Sequence, residues 1–412
     1  MTEATPENLI LLVGSNPLPN YIVAKMLRPK RIWLIYSRGD KGTERVKECL
    51  DTALSEDLPG VLIEAPCLES ATDAREVRQI LTQLPHDAHL NYTGGTKIMA
   101  AHARLAFAEQ QRRAGVADFG DANASYLDER DGVLRFDGGT YDRLTDARVG
   151  LTLDRLLQLH GTRKSKPSTH GLGPTEADAE ALAQYVFRQP NTAAELYKRY
   201  CDIEPDRTQS SGNALDPMRG GNESERKKEK GSERLKKDPF IPPEGLRLSR
   251  ERIPAEGMGA KPIDKWQTFL TGGWLEMWLG SQVGSYGDVT VSVNCFGDRR
   301  PQFEVDVAVI RNCRLYLVSC TTDTSKDLCK SKLFEVAMRG RQIGGDLART
   351  ALVSLLHSGS EQGSYVEQLR SAVKSVWGAS NTPQVFGLDD LSVWAGIDQA
   401  ANRASLEAWL SE

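Results

Sequence analysis

The chain has 412 residues, 40% of them hydrophobic and 26% charged, with a formal net charge of −4. That length sets a prior of two or three domains, and that composition belongs to an ordinary globular protein. The negative balance excludes a global electrostatic pull on nucleic acid, so any such attraction has to come from a local patch.

No apolar run approaches the roughly eighteen residues that span a bilayer. Glu7 and Asn8 precede the first apolar run where a signal peptide would carry positive charge, so a cytoplasmic protein with no membrane partner is expected. The seven cysteines are an odd number without a CxxC pair. Four of them, Cys295, Cys313, Cys320 and Cys329, fall in one stretch but lack the paired knuckles of a structural zinc site, and they read as buried reduced thiols. The histidines are scattered, and His86 and His89 are expected at the surface or an edge.

Residues 1–150 alternate strand and helix. Leu9–Gly14 is an apolar run that ends in a Gly-Ser-Asn-Pro turn, the pattern of a buried parallel strand. A short helix over Asn20–Leu27 and a second strand over Arg31–Tyr36 follow. Thr43 can cap a helix that turns Val46, Leu50, Ala53 and Leu54 to one face. Pro59-Gly60 breaks that helix before a strand at Val61–Ile63. Asp73 opens another helix, with Val77, Ile80, Leu81 and Leu84 inward. Strand His89–Thr93, the pair Gly94-Gly95 and a helix from Thr96 to about Gln111 come next, then a hairpin of Ser125–Asp128 and Val133–Phe136. This alternation predicts a parallel, doubly wound sheet that binds ligands at the carboxyl ends of its strands.

Residues 151–260 read as a helical linker region. Thr152–His160, Thr175–Arg188 and Thr192–Tyr200 are expected helices, and 162–174 a polar connection. From Pro205 to about Gly259 the chain is polar and carries a basic stretch, Arg226 to Lys237, which suits a solvated arm with an optional role on nucleic acid. Residues 261–412 resume α/β patterning. Helix Trp266–Leu279 leads to strands at Val289–Asn294, Glu304–Ile310 and Arg314–Thr322, helix Lys330–Arg341, strand Thr350–Leu355 and a terminal helix Ala400–Leu410.

Two loops of the first region carry candidate chemistry. Gly14, Ser15 and Asn16 follow the first strand, and Thr93, Gly94, Gly95, Thr96 and Lys97 follow the fourth. Glycines let backbone N–H groups approach a ligand, a helix N-terminus favours anions, and the hydroxyls and Lys97 add polar and positive groups, so a phosphate-bearing ligand is one reading. A tight Gly-Gly turn with Thr96 merely capping its helix is the other. The absence of GxGxxG and GxxxxGK[ST] argues against a dinucleotide enzyme or a P-loop NTPase, although a mononucleotide-binding enzyme stays in the comparison.

The segments VGSNPLPN, LIYS and NYTGGTKIM, with GGWLEMWL, FEVDVAVIRNCRLYLVS and GRQIGGDLARTALVS later, resemble the CRISPR ancillary nucleases of type III systems. Those join a Rossmann-like CARF sensor domain to a PD-(D/E)XK nuclease domain and act as homodimers. The resemblance spans most of the chain outside roughly 162–260. It implies a cyclic oligoadenylate ligand, tetra-adenylate or a sibling ring, at Gly14, Ser15, Asn16, Thr93, Gly94, Gly95, Thr96 and Lys97. It also implies a restriction-endonuclease-like α/β domain acting on DNA or RNA with Mg²⁺ or Mn²⁺. Asp306 matches the first acid of that motif, and Glu276 an acid that can complete the site.

The following strand should then carry Glu-x-Lys, with both side chains on one face. It reads Ser319-Cys320-Thr321. Hydroxyls replace a metal-binding carboxylate and a cation, and the loss of one such oriented group costs on the order of a hundredfold or more. The expectation is therefore an effector or regulator with an impaired nuclease-like domain. The alternative is an active, ligand-gated endonuclease with a rearranged site, in which Lys326, Lys330 or Lys332 replaces the lysine and Asp323 or Glu335 supplies a carboxylate.

Overall fold

The computed structural model describes residues 5–39, 42–115, 123–165, 173–201, 235, 246, 248, 260–297, 303–357, 364–377, 381–398 and 404–411. The basic stretch Arg226 to Lys237 lies outside them, Leu235 apart. The chain builds two sheets with helices on their faces, the α/β class that the alternating pattern implied.

The first sheet takes the strands Asn8–Leu12 (β1), Arg31–Ser37 (β2), Leu62–Glu64 (β3), His89–Asn91 (β5), Ala124–Asp128 (β6), Val133–Phe136 (β7) and Tyr141–Arg143 (β8) in the order β3-β2-β1-β5-β6-β7-β8. A short strand, Cys67–Leu68 (β4), also pairs with β2. β3 to β6 run parallel, and β7 and β8 are antiparallel additions. The chain moves outward from β1 to β2 and β3, then returns to place β5 on the other side of β1. The strand order therefore reverses between β1 and β5, where open parallel sheets leave a crevice for ligands.

Helices Leu18–Leu27 (α1) and Glu44–Asp57 (α2) cover one face, and Ala74–Gln83 (α3) and Lys97–Arg113 (α4) the other. Asp73 caps α3 by accepting from the Arg75 and Glu76 amides, and Thr96 caps α4 by accepting from Met99. β5 lies between β1 and β6, which buries His89 to 5% exposure and corrects its expected edge position. Its Nε2 shares a 2.8 Å hydrogen bond with Ser125 Oγ, and burial lowers its pKa to about 4.

Two short helices, Asp146–Val149 (α5) and Leu153–Leu159 (α6), carry the chain across to the second sheet. The polar connection expected from 162 begins instead as a strand, Thr162–Lys164 (β9). Three ordinary polar residues serve there because an edge strand needs only backbone pairing, and β9 pairs antiparallel with the strand Asp288–Gly297 (β10). β11 (Phe303–Arg311), β12 (Arg314–Thr321), β13 (Arg349–Ser354) and β14 (Gln384–Phe386) complete the order β14-β13-β12-β11-β10-β9.

Trp266, Trp274 and Trp278 are fully buried against this sheet, together with helices Glu176–Arg188 and Asn191–Cys201. Burial of side chains this large is worth about 1.5–3 kcal/mol each. The helix expected over Trp266–Leu279 is divided, because a π turn at Phe269–Gly273 separates helix Ala260–Thr268 from helix Trp274–Val283. Gly272 has φ 150°, a conformation open to a residue without Cβ.

The helix expected over Lys330–Arg341 is longer, Lys326–Gly344, with Ser325 as its cap. The two halves share apolar core, since Leu9 and Leu34 of the first sheet belong to one cluster with Ile310, Leu315 and Ile343. Cys295, Cys313, Cys320 and Cys329 are separate buried thiols, each with its pKa pushed up by burial. No helix among the described residues is long and apolar enough to cross a membrane.

Candidate functional sites

The two glycine-bearing loops meet at the reversal between β1 and β5. A Cβ built on Gly14 would stand 2.9 Å from the Gly95 amide nitrogen, so the loops touch backbone to backbone. A Cβ on Gly94 would overlap the Leu12 carbonyl oxygen and come within 2.9 Å of Asn20 Oδ1. Gly95 has φ 75°, the left-handed region. Asn20, fully buried and the last residue of the segment VGSNPLPN though not among the candidate ligand residues, donates from Nδ2 to the Leu12 carbonyl at 2.9 Å and so pins the end of β1.

The remaining loop residues divide by what their side chains do. Thr93 Oγ1 accepts from the Leu127 amide at 2.6 Å, which ties the second loop to β6. Thr96 Oγ1 accepts from Met99 and donates to the Ala71 carbonyl at 2.9 Å, so it caps its helix as the structural reading held. Ser15 and Lys97 are exposed at the mouth. Asn16 turns away from it. Its Oδ1 accepts from the Leu18 amide at 3.1 Å, and its Nδ2 sits where a side chain on Gly345 of the second half would lie. The first loop is thus both a candidate ligand loop and a contact with the other domain.

In the second half, pairing register assembles a polar row. Asp306 of β11 falls opposite Ser319 of β12, and Ser319 Oγ donates to Asp306 Oδ2 at 3.0 Å, with the Cys320 amide donating at 2.7 Å. On the other side β10 pairs with β11 from Asp288 to Cys295 but skips Ser292, which falls opposite Asp306. Ser292 has φ 53°, and its hydroxyl donates to Glu276 on helix Trp274–Val283. That left-handed residue is where the β10–β11 pairing skips a position. Burial, then the Asp306 carboxylate, raises the Glu276 pKa to about 8, and Lys332 acts in the opposite direction.

The candidate lysines separate clearly. Lys332 Nζ donates to the Cys320 carbonyl at 3.3 Å and faces the acids. Lys326 donates to Gln368 Oε1 at 2.5 Å and lies over the Tyr365 ring, away from them. Lys330 is exposed, as are Asp323 and Glu335. Asp323 Oδ1 is engaged with the Ser325 amide at the start of the long helix. Glu276, Asp306 and Lys332 therefore lie within electrostatic reach of one another, with Ser292 bonded to Glu276 and Ser319 to Asp306. Among the described residues no group of three or more His, Cys, Asp or Glu side chains could hold a metal ion.

No protein-family model and no curated protein matches the chain. Solved structures do. Can2 from Sulfobacillus thermosulfidooxidans, in complex with cyclic tetra-adenylate, aligns with TM-score 0.63 and 19% identity over 98% of this chain and 99% of its own. Protein VC1899 from Vibrio cholerae aligns with TM-score 0.62 and 16% identity over 98% of each chain. This chain has their fold. A type III CRISPR defence DNA nuclease activated by cyclic oligoadenylate aligns with TM-score 0.52 and 17% identity over 92% of this chain and 53% of its own. The end-to-end coverage of the first two means that both sheets and the passage between them belong to one shared architecture.

Proposed function

We propose that this chain is a cyclic-oligoadenylate-binding effector of type III CRISPR defence, with a CARF-type sensor domain and a PD-(D/E)XK-like second domain whose acid cluster is altered. The observation that carries this reading is the backbone contact of Gly14 and Gly95 at the strand-order reversal, where two loops offer amides, hydroxyls and Lys97 to an anion. The fold shared with Can2, whose structure holds cyclic tetra-adenylate, supports that ring as the ligand.

A ring with repeated phosphates suits a two-fold pair of identical loops, so the active unit is a homodimer. Exposed Ile98 and Leu105 lie along helix α4, which starts at the second loop, and give a second copy an apolar stripe to cover. Calorimetry with cyclic tetra-adenylate tests this. One ring per two chains is expected, with at least tenfold weaker binding in Lys97→Ala. Heat with ATP but none with cyclic tetra- or hexa-adenylate overturns it in favour of a mononucleotide enzyme.

The second domain admits a second reading because Lys332 faces Glu276 and Asp306. The Asp306 carboxylate raises the proton affinity of Glu276, and a divalent cation held between the two would relieve that repulsion. Glu276 and Asp306 would hold one Mg²⁺ or Mn²⁺, which needs only one or two carboxylates when water and phosphate complete the shell. The ion would supply charge stabilisation at a phosphate. Lys332 would place a cation beside it in place of the missing motif lysine, and Ser319 would hold Asp306 in orientation.

On this reading the protein is a ligand-gated endonuclease; without it, the protein is a receptor with a silent domain. Cleavage of plasmid or single-stranded RNA by the full chain with ring and Mn²⁺, lost in both Asp306→Ala and Lys332→Ala, supports the nuclease. No cleavage under any of these conditions removes it.

A further inference from the structure

A cleft of about 500 Å³ lies where the β7–β8 hairpin of the first sheet meets the start of β12, and it is lined by Arg130, Asp131, Val133, Arg135, Tyr141, Arg143 and Arg314. Hairpin register builds it. Arg135 pairs opposite Tyr141 and Val133 opposite Arg143, so the period of two brings Arg135, Tyr141 and Arg143 to one face. Arg314 closes the back. It is 5% exposed, and its Nη2 donates to the Arg130 carbonyl at 2.9 Å beside Gly132.

The charges of this cleft are not balanced internally. Asp128 and Asp131 both engage Arg135, and Asp142 is taken by Arg148 from outside the cleft. Arg130 and Arg143 are exposed, and neither guanidinium has a carboxylate partner among the described residues. Tyr141 is 53% exposed, with the Arg135 guanidinium 5.9 Å from its ring centroid. In a chain of net charge −4 this is a concentrated positive site with an open aromatic face.

We infer that this cleft binds the sugar-phosphate backbone of single-stranded nucleic acid, with Arg130 and Arg143 on phosphates and Tyr141 under a base. Arginine forks match phosphate geometry, and a flat aromatic among them takes any base without reading sequence. A duplex offers no unstacked base to Tyr141, which is why the single strand is favoured. The inference stands beyond the ring-binding reading, since the cleft shares no residue with the two glycine-bearing loops.

Fluorescence anisotropy of a labelled twenty-nucleotide oligo(dT) against the full-length protein, over a series of KCl concentrations, tests it. Arg130→Ala/Arg143→Ala is expected to weaken binding about tenfold or more, and to flatten the salt slope by about 1.4, the value for two single-strand phosphate contacts. Tyr141→Leu should weaken binding about fivefold or more at an unchanged salt slope. Both variants alter exposed side chains, and retained cyclic tetra-adenylate binding by calorimetry verifies their fold separately. Affinity and slope equal to the parent in the double variant overturn the inference. So does a parent that prefers duplex of the same length, or one that does not bind the oligonucleotide at all. Loss of ring binding in the parent alone would instead count against the sensor.

Discussion

Gly94→Ala places a methyl group where the structure has no room, and the cost can be worked out from its neighbours. The new Cβ would overlap the Leu12 carbonyl oxygen and lie 2.9 Å from Asn20 Oδ1 and 3.2 Å from Asn20 Nδ2, against the roughly 3.5 Å that such atoms need. Leu12 ends a central strand paired on both sides, and Asn20 is fully buried, so neither yields freely. Overpacking of this kind costs about 1–3 kcal/mol. If Leu12 and Asn20 separate to make room, their 2.9 Å hydrogen bond is lost in a buried place for about another 1–3 kcal/mol.

The sensor domain should then lose about 2–6 kcal/mol, a fall in melting temperature of roughly 5–20 °C. Gly95→Ala, whose contacts are looser at 3.1 and 3.2 Å, should lose mainly the left-handed penalty of about 1–2 kcal/mol. Scanning fluorimetry of the two variants beside the parent measures the order, and calorimetry with cyclic tetra-adenylate should show weaker binding in Gly94→Ala. A Gly94→Ala protein that melts within about 2 °C of the parent and binds the ring as tightly would refute the account of these loops.

Two further predictions concern the second half and the junction. Burial and the nearby Asp346 carboxylate raise Glu129 to a pKa of about 7 from the ordinary 4.5, so between those values the folded chain holds a proton that the unfolded chain has released. Stability should therefore fall as pH rises from about 4.5 to 7 and level off above. The effect is at most about 3 kcal/mol, reduced by partial exposure. Urea midpoints at pH 5 and 7.5 should differ less in Glu129→Gln, and an identical difference in the two proteins would contradict this. Ser319→Glu with Thr321→Lys puts a carboxylate opposite Asp306 and a cation two residues along the same face, and should raise Mn²⁺-dependent plasmid nicking at least a hundredfold. No gain in a variant that still binds the ring would show that the row is not a nuclease site.

Much of the fold was legible in the chain because its cues are local. Apolar runs ending in Gly-Ser-Asn-Pro and Thr-Gly-Gly-Thr marked two strands and the loops after them. Asp73 and Thr96 marked helix starts through capping that involves only the next three residues. Where local cues misled, tertiary context prevailed. His89 is polar yet sits inside the sheet because Ser125 on the neighbouring strand satisfies it. Thr162–Lys164 looks like linker yet pairs as an edge strand.

The candidate sites depended more heavily on the third dimension. The Ser-Cys-Thr replacement was plain in the sequence, but not that Ser319 falls beside Asp306, that Ser292 breaks its strand pairing to reach Glu276, or that Lys332 rather than Lys326 turns toward the acids. Likewise four arginines spread from 130 to 314 become neighbours only through a hairpin register and a domain junction. Periodicity and capping act over a few residues, so the sequence alone specified the elements and placed the loops at their ends. Strand order, register and helix rotation arise from contacts between distant segments, so only the folded chain decided which side chains share a cleft.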